Sequence, residues 1–517
     1  MTGKIALASF VSFVISSSCL VLAGCGSSSE QPPAAERSAA AGKPASAERA
    51  GRDAAAEPAD GGADAAVEPE PEDERPNIVV VLIDTLRPDF LGFYGFRYET
   101  APFLASFAQD AVVFERARSA SSWTAPATAS VFTSLYPPQH GVVQGYKAHR
   151  GIVAQRGGDA EKLELNRIPD EATTLPELLS EAGYRTYGAA ANINICELLG
   201  FESGFDRFER HERAPAEELR GILEGWANEM LSGEEPFFLY LHFNDVHSPY
   251  EHHKEHYQAP LGSGKRPGET LFAADYRSEI GYLDGELAEV HDILEPASDE
   301  TIFIYLSDHG EEFDEHGSTG HGPTLYTELT HVLMLAGGPG LGAGRVEETV
   351  SLVDVLPTVA ELAGVEPEAG WEGRSLAPLL LEGDARADDL RERLRERPVF
   401  AHRMFSSYRN LARWALMQDD WKLISSWGES YELFDHATDP NEKDDIERSQ
   451  RKAFKALEAR LEEFVERMRQ QEDRSRKVAV QLDEELLERL AELGYVGDEN
   501  LDVGEVARGD KDEELGD

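Results

Sequence analysis

Positive charge is scarce in this 517-residue chain: 49 Lys and Arg stand against 97 Asp and Glu, a formal net charge of −48. A phosphate backbone needs a basic patch, so nucleic acid is not expected as a partner. An anionic substrate would need a local cation, either a metal or a few placed basic groups. A surface adapted to salt is an equally open reading of the acidity. Cysteine is scarce too. Cys19, Cys25 and Cys196 do not make a disulfide framework. Aromatic residues are absent from residues 26–75, a stretch of Ala, Pro, Glu, Gly and Ser. Such a segment cannot bury enough apolar area to fold. It is expected to be a disordered tether with an end-to-end distance of roughly 40 Å. The remaining length is enough for one large α/β domain and a smaller one.

Only one apolar run approaches membrane-spanning length. It is "IALASFVSFVISSSCLVLAGC", which follows Lys4 and closes on small residues before Cys25. The pattern is that of an export signal. It resembles a bacterial lipoprotein signal, which implies that residues 1–25 form the signal peptide and that Cys25 is lipidated. An uncleaved anchor is the alternative. Either way the folded part is expected outside the cytoplasmic membrane, lipid-anchored in a bacterial cell envelope.

Order begins at "NIVVVLID". Ile78 to Ile83 is continuous, apolar and β-branched, which predicts a strand buried on both faces. "FFLYLHF" (237–243) and "TIFIYLSD" (301–308) read the same way. Helices are predicted between them. One is "TAPFLASFAQDAVVF", with Thr100 as its cap. Another is "TTLPELLSEAG", with a capping threonine and Gly183 at its end. This alternation predicts an α/β fold, a mainly parallel or mixed sheet between helices. Near residue 396 the pattern changes. "RWALMQDDWKLISS" and "SYELFDHATDP" read as short antiparallel strands around an Asp-Asp turn. Phe454, Leu457, Leu461, Phe464 and Met468 fall on one helical face, and "DEELLERLAELG" reads as a last short helix. The expected organisation is a catalytic domain over 76–395, an antiparallel subdomain over 396–447 and a helical tail over 448–517.

Each of the three apolar strands leads into ligand-type residues. These are Asp84 in "IDTLRPD", His242 and His247 in "HFNDVHSPY", and Asp308 with His309 in "SDHGEEFDEHG". Open α/β sheets place their sites at the carboxyl ends of strands. Two carboxylates buried there would repel, and a divalent metal relieves that repulsion. Taken singly, Asp84 reads as a turn former or cap, and Asp-His-Gly as a turn. His252, His253 and His256 read as a solvated loop. The signal is the combination.

At this point the chain resembles the sulfatase family of the alkaline phosphatase superfamily. The stretches that carry the resemblance are "PNIVVVLIDTLRPDFLGFYG", "ASVFTSLYPPQHGV", "GFESGFDRF", "HFNDVHSPY", "SDHGEEFDEHG" with "GHGPTLYTELTHVLMLAGGPG", and "WKLI" followed by "YELFDHATDP". They run in the family's order over roughly residues 76–445. The resemblance implies an alkaline-phosphatase-like fold and one divalent metal, with Ca, Mg, Mn and Zn all open. Asp84, Asp308 and His309 match the family's metal ligands, while Thr85 stands where many members have a second aspartate. His247 matches a histidine that contacts the sulfuryl or phosphoryl group. His321 falls near a position often held by lysine. Asn192 falls near another anion-contacting stretch, and His242 is expected on the substrate side with it.

The opening segment departs from the family. Sulfatases carry Cys or Ser, any residue, Pro, any residue, Arg, and convert the first residue to formylglycine. Here the positions are Thr124, Pro126 and Thr128. Threonine has a methyl on Cβ, so formylglycine is not expected. Threonine is instead the direct nucleophile in phosphodiesterases and phosphotransferases of the superfamily. Pro126 suits the first turn of a helix, which puts Thr124 where free amides favour an anion. A metal-ligated hydroxyl there would be an activated nucleophile. A plain helix cap is the other reading of Thr124.

The function expected is metal-dependent hydrolysis of a sulfate or phosphate ester. Thr124 favours phosphoesters, diesters included, and His247 or His321 would contact the transferred group or protonate the leaving group. Three other readings stay open: an arylsulfatase-like sulfuric ester hydrolase, an envelope phosphotransferase, and a catalytically weak protein that holds an anionic glycan. Deleting residues 1–75 is expected to leave a folded, active protein with a single cooperative thermal transition. Cys25→Ala is expected to move it from the membrane to the soluble fraction with turnover unchanged.

Overall fold

The computed structural model describes residues 75–143, 162–165, 167–259, 270–403, 412–426, 430–472 and 478–481. The signal segment with Cys25, the tether up to residue 74, the helix expected over 483–494 and the chain end lie outside the described residues. None of the described helices is long and apolar enough to cross a membrane.

The first strand, β1 (Asn77–Ile83), is buried at all seven positions. Its side chains alternate between two cores. Ile78, Val80 and Leu82 face one, and Val79, Val81 and Ile83 face the other. That is why its sequence from Ile78 onward is continuously apolar rather than alternating. The other strands of the same sheet are β2 (Val112–Arg118), β3 (Arg185–Ala190), β4 (Arg207–Arg210), β5 (Phe237–Phe243), β6 (Thr301–Ser307), β7 (Met334–Gly337) and β8 (Gly344–Ser351). The order is β8-β2-β7-β6-β1-β5-β3-β4. All run parallel except β7, which pairs antiparallel to both β6 and β2.

Helices cover both faces. On the first lie α2 (Thr124–Thr133), α3 (Leu175–Glu181) and α6 (Val355–Leu362). On the second lie α1 (Pro102–Phe107), α4 (Ala216–Leu231) and α5 (Leu271–Leu294). The cap predicted for α3 is present: Thr174 accepts from the Glu177 amide, and Gly183 follows with φ 87°. The helix predicted from Thr100 is much shorter than the pattern suggests. It stops at Phe107, and Val112 and Val113 instead open β2, where β-branched side chains pack well. Thr100 is not its cap either, because that hydroxyl donates to Phe90 O at 2.5 Å. The cap comes from α5, where Asp284 accepts from the amides of Phe103 (2.7 Å) and Leu104 (3.0 Å). A cap supplied from another helix leaves no local sequence signal.

A separate antiparallel sheet is formed by β9 (Val399–Arg403), β10 (Arg413–Gln418), β11 (Trp421–Ser426) and β12 (Ser430–Asp435), in that order. The Asp419-Asp420 pair makes the β10–β11 turn, with Asp419 at φ 51°. Helix α7 (Arg451–Glu472) buries Phe454, Leu457, Leu461, Phe464 and Met468 against this sheet. Tyr136 and Val353 belong to the same core, so the sheet is joined to the larger part by shared packing.

One buried ion pair reinforces that join. Lys422 Nζ of β11 lies 2.8 Å from Glu442 Oε1, both side chains at 0 % exposure. Glu442 also accepts from His436 Nε2 at 2.6 Å and from the Thr327 amide at 2.9 Å. Burial raises its pKa, but Lys422 and His436 outweigh burial and bring it from 4.5 to about 2. Stability from this group is therefore present above about pH 4.5 and is lost as pH falls towards about 2. Glu442→Gln leaves Lys422 buried and unpaired. It is expected to cost about 3–5 kcal/mol in denaturant unfolding at neutral pH, and the difference from wild type should shrink across that acid window.

Candidate active site

Four neighbouring parallel strands, β6, β1, β5 and β3, end at one edge of the sheet, and Asp308, Asp84, the 244–250 loop and Asn192 follow them. Asp84 continues the ladder, its amide donating to Phe243 O at 3.0 Å. Asp84, Asp308 and His309 are all 0 % exposed, with ligand atoms within 4.8 Å of one another. His309 donates from Nδ1 to Gly310 O at 2.9 Å. That fixes the tautomer and turns the Nε2 lone pair inward. Nε2 is 3.5 Å from Asp84 Oδ1 and 3.5 Å from Asp308 Oδ2. Asp308 Oδ1 is occupied by the amides of Thr85 (3.1 Å) and His309 (2.8 Å). Asp84 Oδ1 and Asp308 Oδ2 are buried without a hydrogen-bond partner.

Two carboxylates with orphaned oxygens facing one imidazole lone pair are a donor set that fits a divalent cation. The electrostatics agree. Burial and the neighbouring Asp84 push Asp308 well above the usual carboxylate range. Asp84 is held low: burial raises it, but the neighbouring imidazoles of His242, His247 and His309 prevail. Burial, then the charge of His321, brings His309 down to about 3, leaving the neutral imidazole that metal ligation requires. Thr85 is turned away, at φ 59°, with its hydroxyl donating to Val246 O at 2.6 Å.

Thr124 is the first residue of α2, and Trp123 occupies the cap position with no side-chain cap bond. Thr124 is 2 % exposed. Its Oγ1 lies 3.3 Å from His309 Nε2 and 3.4 Å from Asp84 Oδ2. The hydroxyl therefore faces the carboxylate–imidazole cluster rather than the helix amides. Thr128, one turn on, is fully buried and its hydroxyl has no hydrogen-bond partner.

Thr124, Asn192, His247 and His321 line one cavity of about 270 Å³. Asn192 donates to Asp84 Oδ2 at 2.6 Å and to Asn244 Oδ1 at 2.9 Å. His247 donates from Nδ1 to Ser248 O at 2.6 Å, which leaves Nε2 free. His242 is not on the cavity wall. It is fully buried behind Asp84, 3.7 Å from Oδ2, with Nδ1 against Tyr240 OH. It is thus a partner of Asp84 rather than of a substrate. His252 and His256 are exposed, as expected of a solvated loop, while His253 is half-buried and stacks on Tyr282. Glu311 was not singled out in the sequence. It holds His321 Nδ1 at 3.0 Å and accepts from Tyr250 OH at 2.9 Å. Burial opposes a charge on His321, but Glu311 outweighs it and raises the imidazole's pKa. The doubled acid after "DHG" was the available sign. Asn244 left none beyond lying beside "HF".

Two family models match: Sulfatase over residues 76–365, and N-sulphoglucosamine sulphohydrolase, C-terminal, over residues 324–471. The chain belongs to the sulfatase family. It is an ester hydrolase of that family, with a mixed central sheet between helices and a four-stranded antiparallel sheet towards its C-terminus. It is similar to the uncharacterized sulfatase YidJ of Escherichia coli K12, 22 % identical over 71 % of this chain and 82 % of that protein. Two solved structures share the fold. A putative sulfatase yidJ from Bacteroides fragilis has TM-score 0.64 and 17 % identity over 78 % of this chain and 98 % of that one. The phosphonate monoester hydrolase of Agrobacterium radiobacter has TM-score 0.60 and 18 % identity over 79 % and 97 %.

In this sulfatase-family chain the loop after β6 is seated tightly. A Cβ on Gly310 would come within 2.0 Å of Glu328 O. Gly310→Ala is expected to displace His309. It should lower stability by about 1–3 kcal/mol in denaturant unfolding and depress activity beyond what that loss of folded protein explains.

Proposed function

We propose that this sulfatase-family enzyme is a metal-dependent phosphoester hydrolase, diesters included, that uses unmodified Thr124 as its nucleophile. The observation that carries the reading is the Thr124 hydroxyl, 3.3 Å from His309 Nε2 and 3.4 Å from Asp84 Oδ2 at the buried end of the cavity. Asp84, Asp308 and His309 would hold one divalent cation, which would acidify the Thr124 hydroxyl and offset charge on the ester oxygens. Thr124 Oγ1 then attacks phosphorus, its proton leaving to solvent, and the bond to the leaving oxygen breaks as the bond to Thr124 forms. His321, charged against Glu311, gives its proton to the departing alkoxide. Neutral His321 next takes a proton from water as the hydroxide displaces Thr124 from phosphorus, and Thr124 regains a proton. Asn192 keeps Asp84 oriented throughout. The phosphonate monoester hydrolase with this fold agrees with phosphorus chemistry at such a site. Export and lipidation at Cys25 complete the proposal, with the substrate met outside the cytoplasmic membrane.

Purified protein is expected to turn over an aryl phosphate or bis-aryl phosphate faster than the matching aryl sulfate. Thr124→Ala should abolish turnover while keeping the unfolding midpoint within a few degrees, and Thr124→Ser should retain part of it. Mass spectrometry should find an unmodified threonine. Elemental analysis should find one divalent metal per chain, lost in Asp308→Asn. Faster sulfate turnover would favour the sulfuric ester reading, and wild-type turnover in Thr124→Ala would remove Thr124 from the chemistry.

A further inference from the structure

The 270 Å³ cavity adjoins a second of about 450 Å³, and Arg213, Asn244 and His247 line both. Thr124 is at the buried end, whereas Arg213 is exposed at the junction. The second cavity is walled by carboxylates: Glu217, Asp245, Glu251 and Glu279. Arg213 is the only Lys or Arg on either lining among the described residues. None of the described residues pairs with its guanidinium, although the chain carries 97 acidic side chains. Its backbone is left-handed, at φ 54°, and its amide is held on Ala191 O at 2.7 Å. Glycine or asparagine would occupy that region with less strain. Strained backbone of this kind gathers at binding sites.

We infer that Arg213 is a specificity-determining residue that grips a second anionic group, carried on the alcohol part of the ester close to the scissile group. The inference rests on Thr124 marking where the scissile group sits. The alcohol must then leave towards the junction. A second anion placed further along would face the four carboxylates, and only beside Arg213 does it meet a permanent, fork-shaped cation. The remainder of the alcohol, lying in the acid-walled cavity, is expected to present hydroxyl or amino groups. The substrate class is thus an ester of an alcohol with one further, nearby anionic group.

The test compares 4-nitrophenyl phosphate with its 2-carboxy analogue on the full chain. The same pair is also made as sulfates, so that the comparison survives whichever ester is turned over. Wild type is expected to prefer the carboxylated probe. In Arg213→Gly and Arg213→Asn, which both tolerate the left-handed backbone, that preference should fall roughly tenfold or more, mainly through KM. Neither variant should unfold at a lower temperature, and Arg213→Lys should restore part of the preference. An unchanged ratio between the two probes in both variants would overturn the inference. Turnover surviving in Thr124→Ala would instead overturn the nucleophile reading, so the two failures are distinct.

Discussion

Two aspartates share a buried pocket at the end of the sheet. Asp84 and Asp308 are both fully buried, and each leaves one oxygen without a partner. Like charges so placed raise each other's energy steeply at low dielectric, and the surroundings are built around that repulsion. Asn192 and the amides of Thr85 and His309 each engage the other oxygen of a carboxylate, so that the unpartnered ones converge. The Gly310 carbonyl sets the His309 tautomer. The converging donors, two carboxylate oxygens and one imidazole nitrogen, fit a divalent cation.

The sheet makes that convergence possible. Asp84, Asp308 and Asn192 are far apart in sequence, yet β1 lies in register between β5 and β6, and β3 beside β5. Parallel strands end at the same edge, so residues that follow different strands meet there. Helix α2 then brings Thr124 from the side. The loop after Asp308 is pinned from below by the 327–330 turn, which Glu442 and Lys422 connect to the C-terminal sheet. Stability of the smaller sheet and placement of Asp308, His309 and His321 are therefore linked through buried charge.

Threonine stands at the head of α2, where its side chain is turned into the cluster rather than onto the helix amides. Its hydroxyl faces Asp84 Oδ2 at 3.4 Å and His309 Nε2 at 3.3 Å. His321, also on the cavity wall, is paired with Glu311 at 3.0 Å, and Glu311 raises the imidazole's pKa against the effect of burial. His247, with Nε2 free, is the second imidazole on the wall.

Much of this was legible in the sequence. Near-continuous apolar runs specified β1, β5 and β6, because a strand buried on both faces is mostly apolar along its length. Asp84 and the Asp308-His309 pair could be named because they follow β1 and β6 at once, and Thr124 and His247 because they lie in stretches that match the family's motifs. The sequence alone did not separate the short α1 from β2, since Thr100 imitates a cap and the true cap, Asp284, lies on α5. Nor did it separate His242, buried behind Asp84, from the histidines that line the cavity. Asn244 and Arg213 belong to the site by tertiary placement alone, and tertiary packing rather than the doubled acid after Asp-His-Gly sets Glu311 against His321. A hydrogen bond from His321 to Glu311, or a guanidinium at a cavity junction, depends on how distant loops pack, and loop packing has no periodicity for a sequence to display.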